Sequence, residues 1–495
     1  MLLLTAVPLG IVVNRNWPYR YRNVHPLLEN VFASQVKIEK YHRTYFPRPG
    51  FVANGLTLRR KGSDPNAAPL GTADHLIVQG GWLDLLALRR RVELVDVVGL
   101  HLTVPPVGSE ERRRDFPAGS SADFSGPETA ISKLQVRDSV LEIQKQAGGS
   151  FKFPIHTLVV KGLEKGHALR YDVEMENAMP SGRIVAHGSF GPLLPANLGN
   201  TSLMGDFTFD DVQLHDIGTL QGVLKSQGHF ERTLDSIDAH VTTESSDFAV
   251  GQGRSSVLTN TVHCTINGLN GDVILNAIEG RLGATPLSVS GSVTGSPKIA
   301  RVELSVRSGR AQDLLRPFLH GPAPITGGVT LKAHAEILPG GKGVRFLHRL
   351  HVEGRFGVSD EKLTNAAEEQ KLSAFSQRAQ GEKKDEDEAA DTLGSLSGPV
   401  TIREGILSTQ GLRFAVPGAS ADLNGTYNFV SKDIRMTGNV RMDSDISHVT
   451  TGFKSMLLKP FAPLFERKHA GAVIPIAITG VPGHYSVSGN FLHTK

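Results

Sequence analysis

Along much of the chain, apolar and polar residues alternate with a period of two. Leu169, Tyr171, Val173 and Met175 are interleaved with Arg170, Asp172 and Glu174. Val302, Leu304 and Val306 are interleaved with Glu303, Ser305 and Arg307, and Val329, Leu331, Ala333, Ala335 and Ile337 with Thr330, Lys332, His334 and Glu336. Ile434, Met436, Gly438, Val440 and Met442 repeat the pattern against Arg435, Thr437, Asn439 and Arg441. Such alternation puts one face of each strand in an apolar environment and the other in water. The runs are separated by Gly, Pro or Asn, which predicts long antiparallel sheets and not βαβ units. Segments such as HGSFGP (187–192), SGSVTGSP (290–297), LNGTYNF (423–429) and VSGNF (487–491) share a flavour but no fixed period. A succession of hairpins is therefore expected, and a solenoid of identical repeats is not.

Few segments depart from this period. Val24–Ala33 (VHPLLENVFA) reads as a short helix with Leu27, Leu28, Val31 and Phe32 on one side. Residues 82–91 predict a brief helix, followed by one strand over 92–104 that ends at Pro105-Pro106, and by a polar loop over 107–128. Residues 359–394 lose the alternation. Leu363, Ala367, Leu372 and Phe375 suit a helix there, and the charge-dense run Glu382–Glu388 predicts a solvated surface insertion. Between 449 and 467, Phe453, Met456, Leu457, Phe461, Leu464 and Phe465 gather apolar bulk beside Lys454, Lys459, Arg467 and Lys468, with Pro460 and Pro463 interrupting any helix. This amphipathic segment suits a cap on a sheet end or a membrane contact.

The first 13 residues, MLLLTAVPLGIVV, carry no charge. A bilayer core needs about 20 apolar residues, so this stretch is too short to span alone. Two readings are open: a buried strand, or the back half of an anchor. The second is the expectation adopted, with Leu2, Leu3, Leu4, Ile11, Val12 and Val13 as its apolar residues and Trp17 at the interface. Trp17, Tyr19 and Tyr21 follow at once with Arg15, Arg20 and Arg22, and aromatic and basic residues suit a membrane boundary.

Composition narrows the class. Hydrophobic residues are 39% and charged residues 21% of 495, an ordinary globular balance that argues against wholesale disorder. At this length, two or more structural units or one extended array are expected. The net charge is only +4 and the basic residues are spread out, which argues against a nucleic-acid partner. The single cysteine, Cys264, allows no intramolecular disulfide and no multi-cysteine zinc site, and reads as a small buried hydrophobe.

Catalytic motifs do not turn up: there is no Gly-x-Ser-x-Gly, no Walker A loop and no His-Glu-x-x-His. His348 and His351 lie three apart in RFLHRLHVEG, and read as solvent-facing histidines and not as a metal pair. Neither catalytic residues nor cofactor or metal ligands are assigned. What remains is the apolar strand face. Closed on itself it makes a sandwich; left open on a curved sheet it lines a groove for acyl chains, with Leu169, Tyr171, Val173, Met175, Val302, Leu304, Val306, Val329, Leu331, Ile434, Met436 and Val440 as candidate lining. Sequence leaves the open and closed forms undecided.

The order of these features resembles the AsmA-like family of bacterial envelope proteins. SQVKIEKYHRTYFPRPGFVANGLTLRR (34–60) is similar to that family's opening strand pair, joined by Phe46-Pro47-Arg48-Pro49-Gly50. Residues 73–104 and ISKLQVRDSVLEI (131–143) resemble the elements that follow. LSGPVTIREGILSTQGLRFAVPGASADLNGTYNF (396–429), TTGFKSMLLKPFAPLF (450–465) and IPIAITGVPGHYSVSG (474–489) resemble the family's C-terminal region. The resemblance implies a mostly β fold, an elongated, curved antiparallel sheet forming a groove, with a few short helices. It implies a single N-terminal anchor in the inner membrane, a body in the periplasm, and a relation to chorein-type bridge-like lipid transfer proteins. The partner so implied is a phospholipid or another acyl-chain lipid moved for outer-membrane or envelope biogenesis. An assembly factor for outer-membrane proteins, contacting clients through sheet edges, is the alternative. The domain expectation is an anchor and interface segment over 1–22, a β-groove region over 23–358, the charged insertion over 359–395 and a C-terminal β region over 396–495.

Overall fold

The period-two segments all form strands, and the chain is mostly β with a few short helices. The computed structural model describes residues 17–31, 34–59, 69–87, 91–106, 130–145, 148–164, 166–193, 197–323, 325–340, 346–363, 376, 394–442, 473–481 and 484–489. They divide into two compact units. The first comprises Met1–Asp216, Lys225–Ala239 and Asn267–Leu269; the second comprises Ile217–Leu224, His240–Ile266 and Asn270–Lys495.

The first unit opens with helix α1 (Tyr21–Val31) and the strands β1 (Gln35–Thr44), β2 (Gly50–Arg59) and β3 (Gly71–Gln79), each antiparallel to the one before. Val24 and Leu28 of α1 press onto Val36, Phe51, Ala53, Leu56, Leu58, Ala73, Leu76 and Val78, which form a packed core. Of the apolar residues expected on one side, Leu28 is buried and Leu27 is 57% exposed, while the side chains of Val31 and Phe32 lie outside the described residues.

Helix α2 (Trp82–Leu86) is a single turn, shorter than the expected 82–91. The single strand expected over 92–104 is two, β4 (Arg91–Val98) and β5 (His101–Val104), and both pair with β3. Gly99 breaks them. It adopts φ +67°, and a Cβ there would meet the Asp74 carboxylate at 2.1 Å.

The next strand, β6 (Ala130–Gln144), lies parallel to β4 and β5, an exception to the antiparallel expectation. A parallel neighbour needs a connection longer than a hairpin turn, and residues 105–129 separate β5 from β6 in the sequence. Antiparallel pairing then resumes through β7 (Ser150–Leu163), β8 (Leu169–Ala178), β9 (Ser181–Phe190) and β10 (Leu203–Gln213).

The strands β11 (Leu220–Gln221), β12 (Val223–Thr233) and β13 (Ser236–Val250) follow, and the boundary between the units falls within β12 and β13. The second unit continues as β14 (Ser256–Ile266), β15 (Val273–Leu282), β16 (Thr285–Thr294), β17 (Ile299–Arg310), β18 (Ile325–Ile337), β19 (Leu350–Leu363), β20 (Gly394–Arg403), β21 (Ile406–Val416), β22 (Ala419–Asn428), β23 (Ile434–Met442), β24 (Val473–Val481) and β25 (His484–Gly489). Each of these from β14 on is antiparallel to its successor. Helix α3 (Ala311–Leu315) covers Val306, Val329 and Val358. Cys264 is buried, as its residue type suggested. The alternation runs further than expected: β19 continues to Leu363, five residues into the presumed insertion, and β20 begins at Gly394.

Candidate functional site

Residues directly opposite one another in an antiparallel ladder share a face, so the registers define what each face presents. In the first unit, Val136, Leu158, Val173, Ala186 and Phe207 form one row across β6 to β10, and Ile155, Met175, Ile184 and Phe209 form another across β7 to β10. Between β8 and β10 a third row runs Tyr171, Gly188, Gly205. Gly205 makes room: a Cβ there would lie 2.6 Å from the Tyr171 hydroxyl and 3.0 Å from the Phe230 ring. Burial, and then the Asp206 carboxylate, push the Tyr171 phenol up from its ordinary pKa.

The second unit carries a longer row. Val302, Ala335, Val352, Ile402, Leu407, Tyr427 and Ile434 stand opposite one another on seven successive strands, β17 to β23. Six inter-strand steps of roughly 4.8 Å make this row about 29 Å long. All seven residues are half-buried, and none is fully buried. An opposed layer of side chains would have removed them from water, as α1 does for Phe51 and Leu76.

The individual candidates follow suit. Leu169, Tyr171, Val173, Met175, Val302, Leu304, Leu331, Ile434, Met436 and Val440 are half-buried. Val306 and Val329 are fully buried, because α3 lies on them. The registers bring Val302, Leu304 and Val306 against Ala335, Ala333 and Leu331, and Met436 against Gly425 and Ile478. The Leu169–Met175 set belongs to the first unit and the others to the second.

Trp17 is 1% exposed, packed on Tyr45 at 4.7 Å between ring centroids and on Trp82 at 5.8 Å. It is thus an enclosed aromatic, where its sequence context had suggested an interfacial one. Leu2, Leu3, Leu4, Ile11, Val12 and Val13, and likewise Phe453, Leu457, Phe461 and Phe465, lie outside the described residues. Among the described residues, no helix is long and apolar enough to cross a membrane. His348 is exposed on the short helix α4 (Phe346–Arg349), and His351 stands on β19 with its ring 4.0 Å from Glu336.

In each unit the opposite face carries exposed, paired charges. Arg183 meets Glu174 at 2.7 Å, Arg301 meets Glu336 at 2.8 Å, and His334 meets Glu303 at 2.8 Å. Sequence alternation located both faces; the exposure of the apolar one needed the structure.

No family model, curated protein or solved structure matches the chain.

Proposed function

We propose that the protein is a non-enzymatic, membrane-associated binder of acyl-chain lipid that holds or transfers phospholipid on its uncovered apolar strand face. The observation that carries this reading is the row from Val302 to Ile434, apolar on seven adjacent strands and only half-buried on every one. Contiguous apolar surface left in water marks a binding site, because covering each 100 Å² of it contributes about 2.5 kcal/mol. A row of about 29 Å is roughly twice the depth of one leaflet of a bilayer core, which is long enough for extended acyl chains. The similarity of the terminal segments to AsmA-like proteins supports the same ligand class, and with it an envelope location with an inner-membrane anchor.

The test is extraction and mass spectrometry of protein purified without detergent, with uptake of a fluorescent fatty acid measured on the delipidated chain. Co-purified phospholipid and saturable uptake are expected. Protein that carries no lipid and takes up no probe would sink the reading.

A further inference from the structure

On the polar face of β17, β18 and β19, two rows set acids against basic residues and the next row does not. Across β17, β18 and β19, facing residues are complementary: Arg301 lies opposite Glu336, Glu336 opposite His351, Glu303 opposite His334, and His334 opposite Glu353. The acids of these rows are already engaged, Glu336 by Arg301, Glu303 by His334, and Glu353 by Arg403 at 2.6 Å. At the next row this complementarity fails. Lys332 stands directly opposite Arg355, and Arg307 reaches the same place from a β-bulge between Val306 and Gly309. Like charges facing one another across a ladder are destabilising. Among the described residues no carboxylate pairs with Arg307, Lys332 or Arg355. All three are exposed.

This row borders a concavity of ≈ 850 Å³ whose lining includes Arg307, Thr330, Lys332, Arg355 and Ser397 together with Val306, Leu331 and Phe356. Its floor is a row of small residues: Thr330 faces Gly357, and Gly357 faces Ser397. Gly357 keeps that floor low, since a Cβ would sit 3.1 Å from the Thr330 hydroxyl. On the far side Arg413 pairs with Asp422 at 3.3 Å, the one acid lining the cavity among the described residues. Three unpaired cations therefore rim a floor bearing two hydroxyls.

We propose that the concavity rimmed by Arg307, Lys332 and Arg355 binds a phosphate-bearing anion. Guanidinium groups present paired N–H donors that match phosphate oxygens, and the Ser397 hydroxyl can donate from below, whereas the Thr330 hydroxyl donates to the Gly357 carbonyl at 3.4 Å. An anion seated there relieves the Lys332–Arg355 repulsion that the empty row carries. Lys332 and Arg355 alternate with Leu331 and Phe356 along their strands, so their side chains stand on the face opposite the apolar one, and Arg307 lines the same concavity from the bulge.

Lys332→Glu tests this on the full chain, because it makes the row charge-complementary and is expected to raise the thermal midpoint of the unliganded protein. Wild type should gain thermal stability from inorganic pyrophosphate beyond chloride at matched ionic strength, and Lys332→Glu should lose that gain, with affinity lowered about tenfold or more. A parallel arm compares flotation with phosphatidylcholine vesicles and with vesicles that also contain phosphatidylglycerol. A pyrophosphate response lost in Lys332→Glu supports a soluble phosphate ligand. Flotation confined to phosphatidylglycerol vesicles and lost in the variant supports a lipid headgroup. Equal stabilisation by chloride together with vesicle binding indifferent to Lys332→Glu overturns the proposal.

Discussion

Tyr41 illustrates how one side chain ties the N-terminal cap to pH. Its hydroxyl donates to the Tyr19 carbonyl at 2.7 Å, its ring stacks on Phe51 at 5.3 Å, and burial pushes its pKa well above the ordinary tyrosine value. Tyr19 is raised for the same first reason, with Asp84 and Glu93 adding to it. A raised folded pKa means the fold holds the neutral phenol. The stabilisation is complete below the unfolded value of about 10 and is lost as pH rises through the higher folded one. Alkaline titration followed by circular dichroism and tyrosinate absorbance should show this loss. Tyr41→Phe should cost about 1 kcal/mol at neutral pH through the missing hydrogen bond, yet move the alkaline midpoint upward. An unchanged alkaline midpoint would show that Tyr41 does not couple the cap to pH.

At the scale of an element, α1 is held by a narrow stripe. Leu28 is 7% exposed and packed in the core, while its neighbour Leu27 is 57% exposed. Leu28→Ala is expected to destabilise by about 2–4 kcal/mol in denaturant unfolding, and Leu27→Ala to stay within about 0.5 kcal/mol. Equal losses for the two would mean that α1 does not dock as described. The same helix shows where sequence patterning stops. The apolar cluster made the helix legible, but Leu27 and Leu28 look alike until the sheet beneath selects one. Gly99 is a similar case, since a glycine inside an apolar run signals either a weak strand or a break; its positive φ decides for the break. The parallel placement of β6 was equally hidden, because alternation gives a strand its faces and not its neighbour. The strands themselves were legible throughout, since period two is a local property of the chain.

For the molecule as a whole, the apolar face was readable but its openness was not. Alternation is the same whether a second layer covers the face or water does, and only the half-buried state of rows such as Val302–Ile434 separates the two. Each unit has an apolar face of its own, with Met175 on β8 in the first and Met436 on β23 in the second. A charge introduced at either half-buried position keeps access to water in the unliganded protein, so folding should be affected less than uptake. Under a bound chain the same charge is desolvated without a partner, a cost of several kcal/mol. Met175→Glu and Met436→Glu are therefore each expected to lower the number of fatty-acid probes bound per chain, and the double variant to lower it further. Thr437→Glu, exposed on the opposite face beside Met436, should leave uptake unchanged. Loss of uptake in Thr437→Glu, or full uptake in the double variant, would place the apolar probe somewhere other than on this face.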